Sequence, residues 1–219
     1  MLLANDSSRA LSVRSLFRDR FGPTLGFHGV TLVEGGTIDR WETVRRAMDA
    51  VPSEATHIAV HDAARPTPAP SMLDRIFHAA ASLDAVVPGL PISETVKRAS
   101  ADATSIGEAD DAAIDAILGD AGRIQVDAWL VEETVPRQGL FSIQTPQVFR
   151  AEVLRSAYGS DDLDGCTDDA SVVERAGVAV HVVQGDVRNL KITTRDDLDL
   201  SRAIVRSGLM NEASTSTDF

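Results

Sequence analysis

The stretch His61-Asp62-Ala63-Ala64-Arg65-Pro66 follows directly on the apolar run His57-Ile58-Ala59-Val60. A β-branched run that stops at an acid and an arginine reads as a buried strand delivering one carboxylate and one guanidinium to its carboxyl end, where open α/β sheets bind ligands. The chemistry within reach is anion binding. A guanidinium offers a planar fork that matches phosphate oxygens, and the two alanines between the charges leave room for a ligand to approach the backbone. The same residues suit a plainer role, in which Asp62 starts a turn that Pro66 and Pro68 complete and Arg65 is its surface ion partner. Two other chemistries find little support. Cys166 has no local histidine or basic residue to stabilise a thiolate. Asp161-Asp162-Leu163-Asp164-Gly165 has the look of a calcium loop, but counting from Ser160 puts Ser171 where a bidentate Glu is required.

The elements that must position these groups alternate along the chain. Helical spacing of apolar residues predicts helices over about 6–20, 41–50, 71–82, 149–158, 168–176 and 195–206, and strand-like runs lie at 30–33, 58–60, 85–87, 178–183 and 190–193. Such alternation predicts an α/β fold, a doubly wound, mostly parallel sheet covered on both faces. Ser93-Glu94-Thr95-Val96-Lys97 and Val131-Glu132-Glu133-Thr134-Val135-Pro136-Arg137 read as two arms of an extended hairpin over about 92–138, with the Ala-, Asp- and Gly-rich insert 99–130, including a short helical pattern at 111–118, at its tip. Residues 1–210 are expected to form a single domain, and 211–219 a disordered polar tail.

Of 219 residues, 43% are hydrophobic, enough for one sizeable core. A net charge of −12 argues against nucleic acid, which needs a basic face. One cysteine excludes an internal disulfide framework, the start resembles no signal peptide, and no run approaches the roughly 20 apolar residues that span a bilayer, so a cytoplasmic protein without membrane partners is expected. All but two of the 21 basic residues are arginines; Lys97 and Lys191 are the exceptions. No Gly-x-Gly-x-x-Gly occurs, which removes the usual dinucleotide-binding dehydrogenases.

Four further motifs accompany the first: Glu94-Thr95-Val96-Lys97-Arg98, Gln144-Thr145-Pro146-Gln147-Val148-Phe149, Thr167-Asp168-Asp169-Ala170-Ser171, and Asn189-Leu190-Lys191-Ile192-Thr193 followed by Asp196-Asp197-Leu198. With Gly35-Gly36 ahead of them, their order and spacing over roughly 30–206 resemble the 2-C-methyl-D-erythritol 4-phosphate cytidylyltransferase family. The resemblance implies a Rossmann-like nucleotidyltransferase domain with a protruding β-arm through which two subunits embrace as a homodimer. It implies transfer of a cytidylyl group from CTP to methylerythritol phosphate in isoprenoid precursor synthesis, with release of pyrophosphate and Mg2+ on the nucleotide phosphates. Ribitol 5-phosphate as acceptor, or a homologue without catalysis, stays open. By the resemblance, Asp62, Ala63 and Arg65 line the substrate side, with Asp62 also toward the metal; Thr145 and Thr167 offer hydroxyls to the substrate; Lys191 holds the acceptor phosphate; and Arg155 is the nearest match to an arginine that positions it. Gly35, Gly36, Asp39 and Thr43 correspond to the nucleotide side, with a one-residue shift after the glycines. Each role has a structural counterpart: Thr145-Pro146 can turn the chain, Thr167 can cap a helix, and Lys191 can guard a sheet edge.

The family also begins with a strand, a Gly-rich loop of the type Leu-Ala-Ala-Gly-x-Gly-x-Arg and a Lys-Pro, which cradle the CTP phosphates. None of these is present, and Met1-Leu2-Leu3-Ala4 falls within a later region of the family pattern, so the expectation is an N-terminally truncated chain whose true reading frame starts upstream. Since one preorganised oxyanion donor is worth about 2.7–4 kcal/mol, the truncated chain is expected to be nearly inactive.

Overall fold

The computed structural model describes residues 7–37, 39–106 and 126–208. The chain divides into two compact units, Met1–Leu90 with Ile143–Phe219, and Pro91–Ser142. The helix expected at 111–118 and the tail at 211–219 lie outside the described residues.

In chain order the elements are α1 (Ser7–Phe27), α2 (Arg40–Met48), β1 (His57–Val60), α3 (Pro70–Ala80), β2 (Ala85–Pro91), β3 (Val96–Ala99), β4 (Thr104–Ile106), β5 (Val126–Ala128), β6 (Val131–Val135), β7 (Phe141–Ile143), β8 (Gln147–Arg150), α4 (Ala151–Tyr158), α5 (Asp169–Arg175), β9 (His181–Gln184) and α6 (Arg195–Arg206). The larger unit is built on a sheet in which β8 lies between β1 and β2 and pairs antiparallel with both, while β9 pairs parallel with β2. Strands β1, β2 and β9 therefore point one way and β8 runs against them. At β8 the sheet departs from a mostly parallel ladder, and the sequence pattern conceals this strand. Only Val148 and Phe149 in it are apolar, and it runs straight into α4 with no turn residue between.

Side chains of adjacent strand residues point to opposite faces, and the core divides accordingly. On one face Ile58, Ala85 and Phe149 pack with Leu154 and Tyr158 of α4 and Val172 and Val173 of α5, flanked by Trp41, Val44 and Met48 of α2. On the other, Val86 and Val148 pack against Met72, Ile76 and Ala80 of α3. The registers Ala85↔Phe149 and Val86↔Val148 show these to be successive residues facing opposite ways. Helices on both faces are what a doubly wound domain requires.

Two expected strands are absent. Residues 30–33 follow a helix stop, where Gly29 adopts φ +71° and Val30 N–H donates to Leu25 C=O at 2.9 Å, but they join no ladder. A strand persists as one side of a ladder, and no described residues supply its neighbour; Val30 and Val33 stay exposed. Residues 190–193 make a single sheet-like contact, Ile192 N–H to Ala64 C=O at 2.8 Å, and so run extended without pairing.

The smaller unit is the expected hairpin arm. Strands β3 and β6 pair antiparallel, with Lys97 Nζ donating to Thr134 Oγ1 at 2.6 Å and Arg98 paired with Glu133 at 2.6 Å, and β4 pairs with β5 farther out. The arm falls in a compact unit of its own, Pro91–Ser142.

Helix α6 shows how strongly a terminus can be tied. Asp197 Oδ2 accepts from Thr193 N–H, Thr193 Oγ1 and Thr194 N–H at 2.7–2.9 Å, and the Thr194 hydroxyl accepts from Asp197 N–H. The Thr193 side-chain bond first, then the backbone bonds, hold the Asp197 carboxyl far below its ordinary 3.8. These bonds favour the charged form in the folded state alone, so their stabilisation is complete above 3.8 and is lost as pH falls through the lower folded value. Accordingly, Asp197→Ala should lower the thermal midpoint at pH 7, with the gap to the parent closing as the pH drops below 3.8; a gap independent of pH would refute this account.

Candidate active site

The turn after β1 is closed by Arg65 N–H donating to Asp62 C=O at 2.9 Å, which sets both charged side chains on one side of the sheet's end. Three cations gather around the Asp62 carboxylate. Lys191 Nζ lies 3.2 Å from Oδ2, Arg65 Nε 3.7 Å from Oδ2, and Arg40 Nη2 3.9 Å from Oδ1. Of these only Lys191 is within hydrogen-bonding range of Asp62. The arginines are held from behind instead. Arg65 Nη1 donates to Asn189 C=O at 2.8 Å, and Arg40 Nη2 donates to Asp169 Oδ2 at 2.6 Å.

Asp169 is fully buried and also accepts from the Tyr158 hydroxyl at 2.6 Å. Burial, then the Asp169 charge, pushes the Tyr158 phenol far above its usual range. For Arg40 burial is the largest single influence and pulls the guanidinium down, but its bond to Asp169 together with the charges of Asp169, Tyr158 and Asp62 leaves it raised. For Arg65 burial wins over Asp62, and its guanidinium is lowered. Arg65 Nε and Asn189 Oδ1 are buried without hydrogen-bond partners.

Buried amides join the motifs. Gln147 Nε2 donates to Asp168 Oδ2 at 2.7 Å and its Oε1 accepts from Ala170 N–H at 2.9 Å, fixing the start of α5 to β8. Gln144 exchanges hydrogen bonds with the backbone of Asp186, and Asn189 Nδ2 donates to Thr145 C=O at 2.8 Å. The loop so held is stiffened by Asp186, whose carboxyl the side-chain bond to Arg188 keeps below the usual range. Asp62, Arg65, Thr145 and Lys191 are thereby brought together. Ala63 lies exposed on the same turn. Thr167 is exposed two residues before α5 and does not cap it; Asp168 does, in a reciprocal box with Ser171. Arg155 is not part of the cluster, because its guanidinium donates to Pro52 C=O at 2.8 Å.

The glycine pair forms a tie to α2. Gly36 N–H donates to Thr43 Oγ1 at 2.9 Å, and a Cβ at position 36 would fall 2.2 Å from Glu42 Cβ, so only glycine fits. Asp39 precedes α2 at its N-cap without a side-chain cap bond. A cavity of about 580 Å³ opens beside Gly35, Gly36 and Thr43, walled opposite by Phe17 and Arg18. Sequence reasoning missed Arg40, Asp169 and Tyr158. The available signals were the arginine following the glycine pair, the second acid of Thr-Asp-Asp and the chain's single tyrosine.

Replacing Asp169 with Asn would leave Arg40 facing a neutral partner. Asp169→Asn should cost about 3 kcal/mol in urea unfolding, the low end for a broken buried pair because Arg40 is one-third exposed. Tyr158→Phe, which removes a single hydrogen bond, should cost about 1–2 kcal/mol.

The family model for 2-C-methyl-D-erythritol 4-phosphate cytidylyltransferase matches residues 10–119 and 107–207. A protein of that name from Frankia casuarinae is 38% identical over 81% of this chain, and another from Acidobacterium capsulatum is 36% identical over 83%. The chain spans 57% of the length of the first and 67% of the second. The crystal structure of 2-C-methyl-D-erythritol 4-phosphate cytidylyltransferase from Thermus thermophilus superposes with a TM-score of 0.61 at 30% identity, covering 81% of this chain and 73% of that one. The chain belongs to the 2-C-methyl-D-erythritol 4-phosphate cytidylyltransferase family.

Proposed function

We propose that this chain carries the acceptor side of a cytidylyltransferase, passing the cytidylyl group of CTP to 2-C-methyl-D-erythritol 4-phosphate. The observation that carries the reading is the convergence of Arg40, Arg65 and Lys191 on Asp62 in a protein of net charge −12. Cations concentrated against the overall charge form a local site for anions. In the transfer, an oxygen of the acceptor phosphate bonds to the α-phosphorus of CTP, the bond from that phosphorus to the α,β-bridging oxygen breaks, and pyrophosphate leaves. Such chemistry needs positioning and charge stabilisation more than a protein nucleophile.

Lys191, half-exposed on its extended segment, is the cation free to follow a phosphate, while Arg40 and Arg65 are fixed. Gly35, Gly36, Asp39 and Thr43 would meet the nucleotide beside the cavity, and Thr167 the acceptor. A Mg2+ ion is typically held through one or two carboxylates together with phosphate oxygens and water. The donor set fits that mode: Asp62 offers one carboxylate, and the described residues contain no group of three His, Cys, Asp or Glu that could cage a metal alone. The ion would neutralise phosphate charge. No described helix is long and apolar enough to cross a membrane. The exposed Trp129, Leu130 and Val131 of the arm would be covered in a homodimer.

In a protein supplied with the family's N-terminal strand, Gly-rich loop and Lys-Pro, a pyrophosphate-release assay with CTP and either methylerythritol phosphate or ribitol 5-phosphate tests the reading. Turnover with the first acceptor alone is expected; turnover with ribitol 5-phosphate alone would reassign the substrate. In the same restored protein Lys191→Ala should lower turnover by about 10²-fold or more, as for loss of one charge-stabilising donor, and near-normal activity would remove Lys191 from the mechanism.

A further inference from the structure

His61 has no part in the transfer just described, yet both of its ring nitrogens are engaged. Nε2 lies 2.9 Å from Arg65 C=O, and Nδ1 lies 3.0 Å from Thr145 Oγ1. The same Oγ1 lies 3.0 Å from Asp62 N. The donors and acceptors in this chain can be assigned one by one. A carbonyl only accepts, so the proton of a neutral His61 ring is on Nε2, and Nδ1 is an acceptor. A backbone N–H only donates, so Thr145 Oγ1 accepts from Asp62. The Thr145 hydroxyl proton then goes to His61 Nδ1, which completes the chain Asp62 N–H to Thr145 O–H to His61 to Arg65 C=O. Turning the ring over would set carbon atoms against both partners and lose both bonds.

We propose that His61 is a positioning residue. As the Nε2–H tautomer it draws the Thr145 proton onto Nδ1, locks the backbone of Asp62 among its cations, and leaves Thr145 Oγ1 able to offer a ligand only an acceptor. A threonine oxygen has two lone pairs, and Asp62 N–H occupies one. Thr145 is 6% exposed, and the second lone pair is what its Oγ1 would offer a ligand that reaches it. A fully ionised phosphate has no proton to give it, whereas a polyol hydroxyl does. On the reading that the site takes a polyol phosphate, Thr145 meets a hydroxyl of the polyol and the phosphate goes to the cations.

The tautomer can be read directly, without any turnover. In a long-range ¹H–¹⁵N spectrum of histidine-labelled protein at pH 8, the signal that disappears in His61→Gln, one of five histidines, should show the Nε2–H pattern. An Nδ1–H pattern, two protonated nitrogens, or averaging between tautomers would overturn the assignment. His61→Gln should preserve ligand binding, because its amide can accept from Thr145 and donate to Arg65 C=O, whereas His61→Phe should weaken it. Thr145→Val, which also takes the acceptor from Asp62 N–H, should weaken binding of methylerythritol phosphate about tenfold more than binding of inorganic phosphate, with Thr145→Ser restoring both. Equal weakening of both ligands would overturn the acceptor role. Failure of the parent protein to bind methylerythritol phosphate would overturn the functional reading and with it the polyol contact, while the tautomer stands or falls on its own spectrum.

Discussion

Like charges do not gather unaided. Arg40, Arg65 and Lys191 repel one another, and the single carboxylate of Asp62 cannot hold three cations at distances of 3.2–3.9 Å. The cluster exists because the cost is met elsewhere. Asp169, removed from water and pinned by Tyr158, anchors Arg40; a backbone carbonyl anchors Arg65; and the extended segment carrying Lys191 is attached at Ile192 to the turn that carries Asp62. An anion entering such a site finds cations already oriented, so little reorganisation remains to be done when charge moves.

The buried amides follow from the same requirement. A site assembled from the end of β1, the entry to β8, the start of α5 and the 185–191 loop needs those pieces fixed to each other, and apolar packing is non-directional. Gln144, Gln147 and Asn189 provide direction. Each is at least nineteen-twentieths buried, and each bridges segments distant in sequence. Their hydrogen bonds are directional and so specify one arrangement of these pieces.

Much of this was legible in the residues. The apolar run ending in His-Asp-Ala-Ala-Arg-Pro announced a strand end with a charged turn, and Asp62, Arg65, Thr145 and Lys191 do meet. The helices at 70–80 and 195–206 were marked by periodicity that the packing preserves. What escaped was whatever depends on a partner far along the chain. Strand β8 is four residues long and merges with α4, so its character comes from β1 and β2 on either side. Residues 30–33 have the composition of a strand but lack a neighbour to pair with. Arg40 becomes a site residue only through Asp169, 129 positions later, and no local pattern encodes that pairing.

Strand β8 also has a consequence for how function could fail. Gln147 stands opposite Val60 in the ladder and ties the start of α5, and two residues earlier Thr145 receives the N–H of Asp62, two residues beyond Val60. A slip of one residue between β1 and β8 would turn Gln147 to the opposite face and carry Thr145 away from Asp62 in the same movement. The sheet register thus works as a checksum on the site: a molecule that pairs its strands wrongly loses the α5 tie and the Asp62 clamp together.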